Sequence, residues 1–243
     1  CVFVGVLIVV IAVILIFSIK GCVSYISNVK EQKQLQEQQT PAPQITPLPT
    51  LSTEISNEYY SNSAFVGNSF IDGMVLYSFF DNVDYFSKVG LTVNGALTEP
   101  TSTGTVPVID ELNNGKSYNK IFMLFGENEL GWDSKDTFLA QYGTLIDKAR
   151  QYQPSSKIYL LNITPVTKAV SDKNENNINN DSIREMNELI KQLAQDKGAV
   201  YVDIYSAVVG NDGTLPDGAA SDGVHFGEEY YKKCLLYIQN NIQ

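Results

Sequence analysis

Lys120-Ile121-Phe122-Met123-Leu124-Phe125-Gly126-Glu127-Asn128-Glu129 is the stretch that decides the fold. An unbroken apolar run that stops at a glycine fits a strand buried on both faces, and such strands belong to parallel sheets covered by helices. Similar punctuation recurs along the chain. Ser63-Ala64-Phe65-Val66 ends in Gly67, residues 83 to 89 alternate through Val83, Tyr85, Phe86 and Val89, and residues 157–163 and 199–204 are short apolar runs. Between the runs the period becomes helical. Phe138, Tyr142, Leu145, Ile146, Ala149 and Tyr152 form one stripe, closed by Pro154. Ile183, Met186, Leu189, Ile190, Leu193 and Ala194 form another, with Asp181 as the expected N-cap and Gly198 as the stop. Residues 227 to 242 supply a last helix. Strands alternating with helices predict an α/β protein with a five-stranded parallel sheet and helices on both faces. The Asn-rich stretch from Asn174 to Asp181 reads as a solvated loop.

The chain ahead of this pattern has a different character. Val2 to Ile19 carries no charge, and at the helical rise it spans roughly 27 Å, close to the hydrocarbon thickness of a bilayer. It is expected to be an N-terminal transmembrane helix, an anchor or signal-anchor over residues 1–22. Ile19-Lys20-Gly21-Cys22 fits a lipoprotein cleavage site poorly, because lysine stands beside the small residue. Lys20, Lys30 and Lys33 lean toward a cytoplasmic side for the chain beyond the anchor. Residues 23–58 become rich in Gln, then in Thr and Pro, and are expected to be a tether that buries too little apolar surface to fold. Such a tether suits a cell surface, and that consideration outweighs three lysines. The expectation is a membrane-anchored protein with an extracytoplasmic domain over residues 59–243.

Composition narrows what that domain does. The chain carries a formal net charge of −10, so phosphate backbones are repelled and nucleic acid is not an expected partner. Beyond the tether there is a single cysteine, Cys234, which excludes a disulfide framework and a cysteine-built zinc site. The chain has 1 histidine, His225. Any base chemistry near neutral pH that needs an imidazole must use it. No metal or other cofactor is expected.

Three motifs hold equivalent places in the pattern. Gly67-Asn68-Ser69 follows the first strand, Gly126-Glu127-Asn128-Glu129 follows the third, and Asp222 and His225 precede the last helix. In an open α/β sheet the loops at the carboxyl ends of the strands build the site, where strand order reverses. If the first and third strands are neighbours there, Ser69 and Asn128 face one crevice. A serine hydroxyl needs an adjacent base, which His225 can supply, and Asp222 can hold the imidazole's other nitrogen. The Ser69 backbone N–H and the Asn128 amide can donate to an oxyanion. Gly67 is expected to let the backbone turn sharply before the serine. Taken singly, the motifs also read as a turn, a strand-to-helix loop and a structural histidine. Their order and spacing together are far more specific.

On these residues the chain resembles the SGNH (GDSL-like) hydrolase family, as a membrane-tethered member. That family has a Gly-Asp-Ser nucleophile turn, a glycine, a Gly-x-Asn-Asp loop and a terminal Asp-x-x-His. Ser69, Gly90, Asn128 and Asp222/His225 match in order from about Ala64 onward, with Asn68 and Glu129 standing where the family has aspartates. The resemblance implies a three-layer α/β/α flavodoxin-like fold and adds the Gly90 N–H as a third oxyanion donor, with Gly95 close by in sequence. It implies a serine esterase working through an acyl-enzyme: Ser69 as nucleophile, His225 as base, Asp222 as its orienting acid. The ester substrate expected by analogy is a small acyl group, acetate above all, on a cell-wall or other polysaccharide. A lipase, lysophospholipase or thioesterase, an O-acyltransferase, and a non-catalytic surface-binding domain are the competing readings.

Four residues are expected near the substrate: Asn68, Glu127, Trp132 and Thr164. Trp132 would stack on a sugar or else fill space between loop and helix. Glu127 and Glu129 would disfavour anionic substrates or cap the following helix.

Overall fold

The computed structural model describes residues 51–242. The anchor and most of the expected tether lie outside the described residues. Among the described residues no helix is long and apolar enough to cross a membrane.

Five strands, β1 (Ser63–Gly67), β2 (Val83–Ser87), β3 (Lys120–Leu124), β4 (Lys157–Leu161) and β5 (Val200–Val202), form one sheet in the order β2-β1-β3-β4-β5. Every pairing is parallel. The helices are α1 (Asn57–Tyr60), α2 (Ser69–Val75), α3 (Val93–Thr98), α4 (Lys135–Tyr152), α5 (Lys168–Lys173), α6 (Asn180–Asp196) and α7 (Glu228–Asn241).

Alternation of side chains along each strand splits the core in two. Ala64, Val66, Ile121, Met123, Ile158 and Leu160 face α3, α4 and α6, whereas Phe65, Phe122, Leu124, Tyr159 and Leu161 face α2 and α7. Both faces of the central strands are therefore covered, which is why β1 and β3 read as continuous apolar runs. Partly exposed positions fall mainly on the outer strands β2 and β5; in β3 and β4 they are confined to the first residues, Lys120 and Lys157.

Register on the α2/α7 face is fixed by an aromatic ladder. Tyr85, Phe65, Phe122 and Tyr159 are paired residues on β2, β1, β3 and β4. Their ring centroids lie 5.7, 4.7 and 4.9 Å apart in sequence across the sheet. Cross-strand pairs of this kind contribute about 0.2–1 kcal/mol each. A one-residue slip of any of these strands would turn its ring to the other face.

The first connection runs from β1 to β2, and the chain then crosses back to put β3 on the other side of β1. Strand order thus reverses between β1 and β3, where Gly67 pairs with Leu124. The chain passes from β1 to α2 within one residue of Gly67, which is not in a left-handed conformation. Gly67 is glycine because a Cβ would sit 2.5 Å from the Leu124 carbonyl oxygen and 2.7 Å from Ile71 Cγ1.

Three further details differ from the sequence reading. The N-cap of α6 is Asn179, whose side chain accepts the Ser182 N–H at 2.8 Å, rather than Asp181. Asn180, expected in a solvated loop, is 4% exposed. Residues 52–56, grouped with the tether, are hydrogen-bonded to α7: the Ser52 N–H donates to Asn240 Oδ1 at 2.8 Å and the Ser56 N–H to Gln239 Oε1 at 2.7 Å.

Candidate active site

The β1 end delivers Ser69 as the first residue of α2. Asn68 caps that helix, its side-chain oxygen accepting the Phe70 N–H at 3.0 Å. Its early position in α2 leaves the Ser69 N–H without a hydrogen bond among the described residues.

The Asp222–His225 turn, just ahead of α7, supplies the other half of the site. Asp222 Oδ1 accepts the backbone N–H groups of Val224 at 2.9 Å and His225 at 2.8 Å, and Oδ2 lies 2.6 Å from His225 Nδ1. His225 Nε2 lies 3.0 Å from Ser69 Oγ, across 156 residues of sequence. Burial pushes the Asp222 carboxyl up, but the His225 ring, then the His225 and Val224 backbone donors, outweigh it and bring the group down to about 2. An ionised carboxylate only accepts, so Nδ1 carries the hydrogen and Nε2 is free to accept from the Ser69 hydroxyl.

Two supports hold these groups in line. Gly223 has φ +84°, and a Cβ there would lie 2.4 Å from Thr167 Oγ1 and 2.5 Å from Val170 Cγ2. Its carbonyl accepts the Thr167 N–H at 3.0 Å. The turn is thereby seated on the loop after β4. That loop is itself pinned by α6. The Asn187 side chain accepts the Ile163 N–H and donates to the Ile163 carbonyl, both at 2.8 Å. Asn180 does the same at Val166, at 3.0 and 2.9 Å. The second support joins the neighbours of the two reacting residues: Phe70 and Phe226 pack edge to face at 5.6 Å.

Asn128 follows Gly126, which has φ +121° and whose Cβ would meet Ile163 Cδ1 at 2.8 Å. The Asn128 amide donates one hydrogen to the Leu91 carbonyl at 2.9 Å. The second hydrogen is left for another acceptor. Gly90, beside Leu91, has φ +72°, and its N–H makes no hydrogen bond among the described residues. Gly95 lies within α3 and spends its N–H on Thr92 Oγ1 at 3.0 Å, so Gly90 is the glycine with a donor to offer.

The remaining sequence candidates fall in different places. Glu127 is partly buried beside the Asp222–His225 pair, and its carboxylate makes no hydrogen bond among the described residues. Its pKa is raised, chiefly by burial; the His225 charge opposes this and Asp222 adds to it. Asn68 is fully buried and Thr164 is 6% exposed. Asn68 therefore shapes the helix start instead of meeting substrate as expected. Trp132 packs against the α3/α4/α6 core, which favours its space-filling reading. Glu129 does not cap the following helix, since α4 is capped by Ser134; it accepts instead the N–H of Val93, the first residue of α3.

Sequence reasoning missed Asn180, Asn187, Phe70 and Phe226. Of these only the paired phenylalanines carry a sequence signal, each directly following a residue of the Ser69/His225 pair.

A doubly wound sheet with a Ser–His–Asp array at its carboxyl edge defines a class, the three-layer α/β/α hydrolases. Within it, the GDSL-like Lipase/Acylhydrolase family matches residues 65–233, and the chain belongs to that family. Esterase or acylhydrolase chemistry is general to it. Similar solved structures agree on the fold. One, from Streptococcus pneumoniae and provisionally described as a platelet activating factor, is 20% identical with TM-score 0.57, covering 91% of this chain and 98% of its own. A GDSL-like lipase from Bacteroides thetaiotaomicron is 15% identical with TM-score 0.52, covering 77% and 90%. A catalytic mutant of an acetylxylan esterase from Geobacillus stearothermophilus is 14% identical with TM-score 0.51, covering 73% and 92%. No curated protein matches the chain.

Proposed function

We propose that the protein is a serine esterase that removes a small acyl group, acetyl above all, from a cell-wall or other polysaccharide. The observation that carries the reading is the unbroken path from Asp222 through His225 to Ser69 Oγ, at 2.6 and 3.0 Å. Ser69 Oγ attacks the ester carbonyl while His225 Nε2 takes its proton. The oxyanion is met by the N–H groups of Ser69 and Gly90 and the second amide hydrogen of Asn128, donors that the fold leaves unspent. His225 then returns the proton to the departing alcohol oxygen, leaving an acyl-Ser69 ester. Water, deprotonated by the same imidazole, releases the carboxylic acid and restores the hydroxyl.

The acetyl and polysaccharide assignments draw on the acetylxylan esterase of similar fold and on fold analogy. The apolar run Val2–Ile19 and the Gln/Pro/Thr-rich segment after it support attachment to a membrane with the domain outside the cell. A lipase reading has one specific observation in its favour: Val89, next to Gly90, is 69% exposed and would offer an acyl chain an apolar rest.

A chain-length series separates the two. The protein should hydrolyse p-nitrophenyl acetate faster than the butyrate and octanoate esters, and a fluorophosphonate should label Ser69. A rate that climbs with chain length replaces the deacetylase with a lipase. Absence of labelling removes the serine mechanism.

A further inference from the structure

Glu129 is fully buried, and the esterase mechanism gives it no task. Its two carboxylate oxygens nevertheless reach two different loops. One accepts the Val93 N–H at 2.6 Å, where the segment carrying Gly90 enters α3. The other accepts the Gly126 N–H at 2.9 Å, at the start of the segment carrying Asn128. Asn128 then bonds the Leu91 carbonyl, closing a loop-to-loop connection around the two donors.

We propose that Glu129 is a positioning residue for the oxyanion hole: its carboxylate fixes the Asn128 loop against the Gly90 loop. The inference rests on the reading of Asn128 and Gly90 as oxyanion donors. It assigns a task to the position where the chain departs from the family's Gly-x-Asn-Asp pattern. A glutamate here spans both N–H groups from a side chain that never touches substrate. A misplacement of about 1 Å in catalytic geometry can cost ~10²-fold in rate.

The clamp is complete only when the carboxylate is ionised. Both oxygens face N–H donors, so a proton on either sets hydrogen against hydrogen in a site closed to water. Burial raises the Glu129 pKa to about 7, the Val93 and Gly126 donors only partly offset it, and the Glu127 charge adds to it. Other groups facing it are Lys135, whose Nζ donates to the Glu129 carbonyl at 3.2 Å, and the buried Tyr142 hydroxyl on α4. The clamp's contribution to catalysis should therefore be lost as Glu129 takes up a proton in acid.

The test is the pH dependence of p-nitrophenyl acetate hydrolysis by the whole protein, the Glu129→Gln variant and Asn128→Ala. The glutamine side chain would keep one acceptor and turn an amide donor toward the second N–H. Its kcat at pH 8 should fall at least ~10-fold with KM changed less than ~2-fold, the signature of an interaction made in the transition state. The kcat ratio of wild type to Glu129→Gln should shrink as pH falls through about 7, because protonation discharges the wild-type clamp while the amide is unchanged. A ratio that stays constant across that range, or an unchanged kcat in the folded variant, overturns the proposal. If Glu129→Gln does not fold, Glu129→Asp takes its place: one carbon shorter, it should lose one of the two N–H contacts and at least ~10-fold in kcat, and an unchanged kcat there overturns the proposal. Asn128→Ala separates the levels: if it leaves kcat unchanged, the oxyanion reading itself fails, whereas a loss there without one at Glu129→Gln sinks only this inference.

Discussion

Two carboxyl groups serve this site, and they sit in opposite environments. Asp222 is about half exposed, with 52% of its side chain accessible, and three donors converge on it from its own four-residue turn. Glu129 is fully buried and draws its donors from two separate loops. Asp222 titrates at about 2 and Glu129 at about 7. At Asp222 the converging donors together outweigh burial, whereas at Glu129 burial outweighs its two donors. The contrast also gives opposite signs for stability. Asp222 stabilises the fold above its unfolded pKa of 3.8, and that contribution is lost as pH falls through about 2. Glu129, raised from 4.5, favours the fold below that value and ceases to as pH rises through about 7.

The comparison can be sharpened by removing each partner in turn. Asp222→Asn keeps the shape but offers Nδ1 a side chain that can donate, so the imidazole loses its imposed tautomer. The expected loss in kcat is ~10⁴-fold, with a modest fall in thermal stability as the carboxylate's charge is removed from a half-exposed turn. An Asp222→Asn enzyme within tenfold of wild type would show that the 2.6 Å contact is structural. Gly223→Ala should have the smaller effect. A Cβ at φ +84° forced against Thr167 and Val170 should cost about 1–3 kcal/mol of stability and lower kcat by ~10²-fold through displacement of the turn. Thermal unfolding and kcat measured on one preparation check both; an unchanged kcat would mean that the seat on Thr167 does not position His225.

What the sequence disclosed follows the same division. Asp222 and His225 lie three residues apart in one turn, so their partnership is local and was legible from spacing. The strands were legible because burial on both faces leaves an unbroken apolar run, as in residues 121–125. The pairing of Ser69 with His225 spans 156 residues, so it was legible from the order of the motifs and the family resemblance and not from local spacing. Glu129 was not legible, since its partners are backbone N–H groups that every residue except proline carries. Asn180 and Asn187 escaped for that reason too: each binds a backbone amide and carbonyl, and an asparagine-rich stretch read alone looks like a solvated loop. Gly67 was read for its turn and not for the carbonyl oxygen it accommodates, because close approach across a sheet leaves no trace within one strand.

His225→Ala tests the central claim most directly, because no second histidine exists in the chain to substitute for it. With p-nitrophenyl acetate at pH 8, the variant should keep the wild-type unfolding temperature within a few degrees, its imidazole being half exposed. Its turnover should fall to the buffer-catalysed background. Turnover near the wild-type rate in a folded His225→Ala protein would contradict the Ser69–His225–Asp222 account outright.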